Sequence, residues 1–158
     1  MIELHLLRHA DAGDPATWPG DDADRPLSAR GRRQAARLGN LLAGAGFAPD
    51  AIISSPNLRA RETAETVAAA LGVDVRVDDR LGGALDIGTI AGVIKDAGGP
   101  RRPVLVGHDP DLSWLASELT GTRIELRKGA LARIDMEVPF DGSGTIRWLI
   151  PPGLLPDR

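Results

Sequence analysis

Residues 2–11 read IELHLLRHAD, and this stretch sets the pattern for much of the chain. Its short leucine-rich start, residues 2–7, is typical of a buried strand, and a polar group follows the run directly. Further runs that are short, rich in β-branched or leucine residues and bounded by turn or charge signals are found at residues 51–54, 73–77 and 104–106. We predict that each of these runs forms a buried strand.

Helical patterns separate the predicted strands. Apolar residues recur three and four positions apart in residues 28–43, where Ser28 can cap the helix, and again in residues 60–71 and 112–119. A weaker pattern at residues 87–97 is interrupted by glycines. Strands that alternate with helices predict a three-layer α/β/α sandwich around a mostly parallel sheet.

The C-terminal part changes to a period of two. Apolar and polar residues alternate over residues 130–138 and 145–150, with turn residues Asp141-Gly142-Ser143-Gly144 between them. This pattern predicts an antiparallel hairpin that extends the sheet. Because no repeat or linker interrupts the 158 residues, we expect one domain over residues 1–158.

Composition excludes several functions. The absence of cysteine rules out disulfide scaffolds, thiolate zinc sites and cysteine nucleophiles, and the net charge of −3 argues against a general nucleic-acid or anionic-membrane binder. The start lacks the features of a secretory signal, and no segment approaches the roughly 20 apolar residues of a membrane span. We therefore expect a cytoplasmic protein that binds neither nucleic acid nor membrane.

Metal binding is not predicted either. His5 and His9 lie four positions apart on a predicted strand, which separates them by about 13 Å. Aspartates at irregular spacing in residues 11–24 indicate a solvated loop rather than a calcium or magnesium site.

Charged and imidazole side chains follow three of the predicted strands. Arg8 and His9 follow the first, Arg59 lies shortly after the second, and His108 follows the fourth. In an open α/β sheet, ligands bind beyond the carboxyl ends of the strands, so these side chains are expected to meet there.

Two of these junctions also carry a helix-start signal. Ser55-Pro56 and Asp109-Pro110 each predict a capping side chain followed by proline at the first helical position. The positive ends of the two helices would then point at the crevice and favour an anion.

The collected groups suit phosphoryl transfer. Arginines can neutralise phosphoryl oxygens, one imidazole can attack phosphorus in line, and the other can donate to a phosphoryl oxygen. A single histidine or arginine at a strand end is usually an ordinary surface residue, so the prediction depends on all four coinciding.

At this point the chain resembles a known family, the histidine phosphatase superfamily that includes phosphoglycerate mutases. The resemblance is carried by residues 6–9 (LLRH), 54–63 (SSPNLRARET) and 106–108 (VGH), and by Arg25-Pro26-Leu27-Ser28 with Gly31 and Gln34. It implies that His9 is the phosphorylated nucleophile and that Arg8, Arg59 and His108 complete the phosphate pocket. It also implies that no metal or other cofactor is needed.

The chain departs from the larger mutase-like members at one place. Residues 79–84 contain no glutamate where those members carry a proton donor. With the short length and the Arg-His-Ala-Asp opening, this resembles the SixA-type phosphohistidine phosphatases. An imidazole leaving group, with a conjugate-acid pKa near 6.5, needs less help from an acid than an alkoxide does.

Asp11 is the main candidate for a replacement proton donor, and Asp86 is a weaker one. The alternative for Asp11 is a solvated or loop-capping role, because aspartate is common in turns for local reasons. The chain is also too short for a separate lid, so we expect an open site that a protein substrate can reach.

The leading hypothesis is a metal-independent phosphatase that works through phospho-His9 and removes phosphate from phosphohistidine on a protein. The alternatives are a small-molecule phosphomonoesterase and a module that binds phospho-ligands without turnover. A monomer is the favoured oligomeric state.

Overall fold

The computed structural model describes residues 1–138 and 140–155. In chain order its main elements are β1 (Ile2–Arg8), α1 (Ala29–Gly44), β2 (Ala51–Ser54), α2 (Leu58–Leu71), β3 (Val75–Val77), α3 (Ile87–Asp96), β4 (Pro103–Gly107), α4 (Asp111–Thr120), β5 (Leu131–Met136) and β6 (Thr145–Ile150). Short 3₁₀ turns lie at Pro15–Thr17, Asp22–Asp24, Asp79–Gly82 and Pro152–Leu154.

These strands form one sheet in the order β3-β2-β4-β1-β5-β6. The neighbours β3, β2, β4 and β1 pair in parallel, and β5 is antiparallel to both β1 and β6. The predicted mostly parallel sheet with a C-terminal antiparallel pair is therefore confirmed.

Alternation along the strands produces two apolar layers. Leu4 and Leu6 of β1 pack in a cluster with residues of α3 and α4, whereas Leu7 belongs to a second cluster with residues of α1 and α2. The helices thus cover both faces of the sheet, as the sandwich prediction requires.

The third strand is shorter than predicted. Gly72, with φ of +69°, ends α2, and the backbone N–H of Val73 donates to the carbonyl of Ala68. Val73 is therefore held at the helix end, and β3 begins only at Val75.

The predicted proline starts of two helices are wrong. Asn57 and Pro110 are the N-cap residues, so Pro56 and Pro110 both precede the first helical position. The Ser55 hydroxyl contacts the His108 ring, which lies on the neighbouring strand end. The cap at Ser28 is confirmed, because its hydroxyl accepts from the N–H of Gly31.

None of the helices in the described part of the chain is long and apolar enough to cross a membrane.

Candidate active site

The register of the sheet brings the predicted site residues together. Arg8 pairs with Gly107, and Ser54 pairs with Val106, so the carboxyl ends of β1, β4 and β2 lie side by side. The rings of His9 and His108 have their centroids 5.2 Å apart. Residues about a hundred positions apart in sequence therefore meet at one edge of the sheet.

His9 is held as a neutral imidazole with one defined donor. Its Nδ1 lies 2.7 Å from the carbonyl oxygen of Ala10, which can only accept, so Nδ1 carries the proton. Burial lowers the pKa of His9 to about 3, and the positive charges near it, including Arg59 and Arg8, act in the same direction. The Nε2 atom therefore carries a free lone pair at neutral pH.

Two helices fix the backbone that follows His9. The N–H of Ala10 donates to the Thr63 hydroxyl of α2, and the N–H of Asp11 donates to the Gln34 side-chain oxygen of α1. A Cβ atom at Gly31 would lie 1.9 Å from the carbonyl oxygen of Asp11, so only glycine fits there. Gly31 and Gln34, which the sequence offered only as part of a resemblance, thus support the His9 loop directly.

His108 is positioned by residues that follow β2. Its Nε2 lies 2.7 Å from the Ser55 hydroxyl and 3.4 Å from the Asn57 side-chain nitrogen. Burial, followed by the positive charge of Arg59, lowers the pKa of His108 to about 4. A bound phosphoryl dianion would oppose this effect and favour the protonated ring.

The two arginines are anchored from different sides. Arg8 donates from Nη1 to the carbonyl of Leu126 at 2.9 Å, and the same atom lies 3.5 Å from the Asp109 carboxylate. Arg59 donates from Nη1 to the carbonyl of Asp22 at 2.8 Å, and its Nη2 lies 3.1 Å from the Asp22 carboxylate.

Unpartnered buried nitrogens point to an oxyanion. Within residues 1–138 and 140–155, four buried side-chain polar atoms lack a hydrogen-bond partner, and three belong to the predicted pocket: Nε of Arg8, Nε of Arg59 and Nδ1 of His108. A buried polar group without a partner costs about 1–3 kcal/mol. Phosphoryl oxygens are acceptors that can bond to the N–H groups of both arginines.

Asp22 is a site residue that sequence reasoning missed. The aspartate-rich loop was interpreted as solvated, but Asp22 pairs with Arg59 and also, at 3.0 Å, with Nε of the buried Arg25. Arg25 in turn donates to the carbonyl of Ala12 at 2.7 Å. One border of the site is therefore formed by this loop, and no local sequence signal distinguishes Asp22 from its neighbours.

Asp11 and Asp86 both accept hydrogen bonds that favour their ionised forms. The Ser28 hydroxyl donates to Asp11 at 2.5 Å and is the main cause of the lowered pKa of that carboxyl, while Lys128 lies 3.4 Å away. Asp86 accepts from the N–H of Thr89 at the start of α3, which lowers its pKa. The contacts of Asp11 match the loop-capping alternative.

No cluster of three or more side chains suited to metal binding occurs in the part of the chain that the structure describes.

The protein thus has an α/β fold in which two histidines and two arginines lie near one another at the carboxyl edge of the sheet. Residues 4–96 match the sequence profile of the histidine phosphatase superfamily (branch 1). The chain belongs to this superfamily, as its sequence motifs indicated.

Two curated relatives show how far the sequence similarity extends. An uncharacterized protein of Picosynechococcus is 34% identical over 137 residues, covering 82% of each chain. A probable phosphoglycerate mutase, GpmB, of Salmonella arizonae is 31% identical over 116 residues, covering 68% of this chain. The match spans only 51% of that mutase.

Solved structures give a closer match in length. The protein histidine phosphatase SixA, complexed with tungstate, superposes with a TM-score of 0.83 at 25% identity, covering 96% of this chain and 98% of that one. The α-ribazole phosphatase of Shigella flexneri has a TM-score of 0.74 at 19% identity, covering 96% of this chain and 97% of that one. The resemblance to SixA-type proteins is thus confirmed, and a small-molecule phosphatase shares the fold.

Proposed function

We propose that this member of the histidine phosphatase superfamily is a metal-independent phosphatase that acts through phospho-His9 and removes phosphate from phosphohistidine on a protein. The proposal rests on the protonation state of His9 and on its hydrogen bond. Its ring is neutral, its Nδ1 proton is committed to the Ala10 carbonyl, and its Nε2 lone pair is free beside Arg8 and Arg59.

In the first step, the pocket holds the phosphoryl group and His9 attacks it. Arg8 and Arg59 neutralise its oxygens, and His108 donates a proton in a hydrogen bond to one of them. The Nε2–P bond forms as the N–P bond of the substrate breaks. The electron pair of the broken N–P bond returns to that ring nitrogen, and the substrate imidazole leaves as a neutral ring because its other ring nitrogen already carries a proton.

In the second step, water attacks phospho-His9. A P–O bond forms, the Nε2–P bond breaks, and inorganic phosphate leaves with the protons of the water shared between phosphate and solvent. The anchored arginines hold the phosphoryl group through both steps, so no rearrangement of the pocket is needed.

The segment after β3 favours a substrate whose leaving group is easily displaced. Arg80 pairs with Asp78 at 2.7 Å and with Asp96 at 3.0 Å, so its charge stabilises the 3₁₀ turn and the end of α3. This segment presents no glutamate to protonate an alkoxide. Asp11 lies two residues from His9, but the hydrogen bond from Ser28 lowers its pKa and favours the ionised form, which has no proton to donate. The proposed substrate is therefore one whose leaving group departs without a protein acid.

A small-molecule phosphomonoesterase is the second candidate. Two of the similar proteins favour it, because they are named as a probable phosphoglycerate mutase and an α-ribazole phosphatase, and both names refer to small phosphate compounds. A module that binds phospho-ligands without turnover is the third, and it would bind vanadate without forming a phosphoenzyme.

The test compares substrates under identical conditions. The protein is incubated with a phosphohistidine protein, with sugar and nucleotide monophosphates, and with each substrate again after the substitution His9→Ala. We expect the highest kcat/KM on phosphohistidine and loss of that activity in His9→Ala. Faster turnover of a phosphate monoester would favour the second candidate. An unimpaired His9→Ala variant would contradict both the phosphohistidine phosphatase and the phosphomonoesterase hypotheses.

A further inference from the structure

A groove of about 860 Å³ opens beside the candidate site and is not used by the proposed chemistry. We call it the basic groove; its lining includes Arg8, Arg30, Arg127, Lys128, Pro152 and Leu154. This volume is far larger than a single phosphoryl group requires and falls in the range of sites that enclose a drug-sized ligand.

The basic groove is continuous with the site through Arg8, which lines the groove and donates to the Leu126 carbonyl. Three residues further on, the N–H of Gly129 donates to the carbonyls of both Arg8 and His9. The segment that presents Arg127 and Lys128 is therefore fastened to the strand end that presents the nucleophile. A group held in the groove lies next to the phosphate pocket.

Charge identifies the class of occupant. Arg30 and Arg127 are exposed and form no ion pair within residues 1–138 and 140–155, while Lys128 is half-buried. These cations are concentrated here although the whole chain has a net charge of −3. Acidic groups are the natural complement to this surface.

The remaining lining favours a polypeptide over a nucleic acid. Asp11 and Glu125 also line the groove, so its charge is mixed, which fits spaced carboxylates between other side chains better than the continuous negative charge of a phosphate backbone. Leu154 is 81% exposed and offers an apolar contact next to Pro152. Mixed acidic and apolar side chains match this pattern better than a uniform polyanion does.

We propose that the basic groove binds an acidic segment of the protein substrate, and that this segment lies next to the phosphohistidine in the substrate sequence. This proposal rests on the proposed function. Arg30 and Arg127 are the specificity-determining residues of this contact. They act by raising the association rate and the affinity for the protein substrate, whereas the phosphate pocket performs the chemistry.

The test uses two short synthetic peptides, each with one phosphohistidine, flanked by glutamates in one and by glutamines in the other. For each enzyme, kcat/KM on the glutamate peptide is divided by kcat/KM on free phosphohistidine. The variant Arg30→Glu/Arg127→Glu is compared with Arg33→Glu/Arg101→Glu, which changes the net charge equally at exposed arginines outside the groove lining.

We expect the ratio to fall about tenfold in the groove variant and to stay within about twofold of wild type in the control, with added salt weakening the wild-type preference. Equal loss in both variants, or no preference for the glutamate peptide, would overturn the proposal.

A binding measurement separates this proposal from the proposed function. Fluorescence anisotropy of the unphosphorylated glutamate peptide needs no turnover. If no enzyme form hydrolyses phosphohistidine, the proposed function fails, but selective loss of peptide binding in the groove variant still supports docking. A single-stranded oligonucleotide that binds the groove more tightly than the peptide would overturn the choice of a polypeptide.

Discussion

His5 lies in the middle of β1 and His9 directly follows the carboxyl end of this strand, and the two histidines have different surroundings. Both rings are buried, both have their Nδ1 near a backbone carbonyl, and burial is the main cause of the lowered pKa of each, to about 4 for His5 and about 3 for His9. Burial alone therefore does not distinguish the proposed nucleophile, His9, from the packed His5.

The neighbours of each ring make the difference. His5 contacts Phe47 edge-on at 4.8 Å and Trp148 at 5.6 Å, between ring centroids. His9 instead faces His108, with Arg8 and Arg59 close enough to affect its pKa. The middle of β1 thus carries an aromatic packing cluster, and its carboxyl end carries the proposed anion pocket. Four predictions follow from this contrast, from the largest effect to the smallest.

Replacing each histidine in turn should give the largest difference in activity between the two positions. We expect His9→Ala to lower kcat on a phosphohistidine substrate by about a thousandfold or more, because no other group supplies the nucleophile. His5→Leu should keep kcat within about twofold, since a similar apolar volume replaces a packed ring. Steady-state kinetics on both variants checks this contrast, and a large loss of kcat in folded His5→Leu would break it.

Removing a pocket cation comes next. Arg59→Ala should lower kcat/KM by about a hundredfold, because a preorganised charge on the transferring group is lost. Its partner Asp22 provides the matched comparison. Asp22→Asn keeps the shape of the loop and frees Arg59 from a competing carboxylate, so we expect tighter vanadate inhibition in that variant. Weaker inhibition would instead mean that Asp22 orients Arg59 for the substrate.

The third prediction concerns the support of the His9 loop. Gly31→Ala places a methyl group against the Asp11 carbonyl and should lower the free energy of unfolding by about 3 kcal/mol, together with activity. Gly44→Ala, at the end of the same helix, meets nothing within 4 Å and should raise stability by about 0.5 kcal/mol. Chemical denaturation of both variants measures these changes, and equal stabilities would contradict the steric account.

The last prediction concerns pH, where the two histidines should behave alike. A histidine whose pKa is lower in the folded state than its ordinary value of 6.5 stabilises the protein above pH 6.5. This contribution is lost as the pH falls from 6.5 to about 4 for His5 and to about 3 for His9. We expect each of His5→Leu and His9→Ala to reduce the loss of stability between pH 7 and pH 5 by about 1–2 kcal/mol. Denaturation curves at both pH values test this, and unchanged acid sensitivity in either variant would contradict it.

The parts of the molecule that depend on local pattern could be predicted from the sequence. The bounds of β2 and the cap at Ser28 follow from short-range preferences and agree with the structure. The meeting of His9, Arg59 and His108 followed from a topological rule that places ligands at the carboxyl edge of a parallel sheet.

The rest depends on contacts between distant segments. The hydrogen bond between Ser55 and His108 forms because β2 and β4 are neighbours in the sheet. Ser55 was predicted to cap α2, but Asn57 is the N-cap residue of that helix. The pairing of Asp22 with Arg59 and the approach of Lys128 to Asp11 likewise join loops that no periodicity connects. Such pairs can be identified only once the strand order and register of the sheet are known.

The most direct test of the central claim is to trap the phosphoenzyme. The protein is mixed with labelled phosphohistidine substrate, quenched in alkali and examined by ³¹P NMR and peptide mapping. The account predicts an acid-labile phosphate on Nε2 of His9 that is present in His5→Leu and absent in His9→Ala. A phosphate on another residue or on Nδ1, or turnover without any trapped phosphoenzyme, would contradict it.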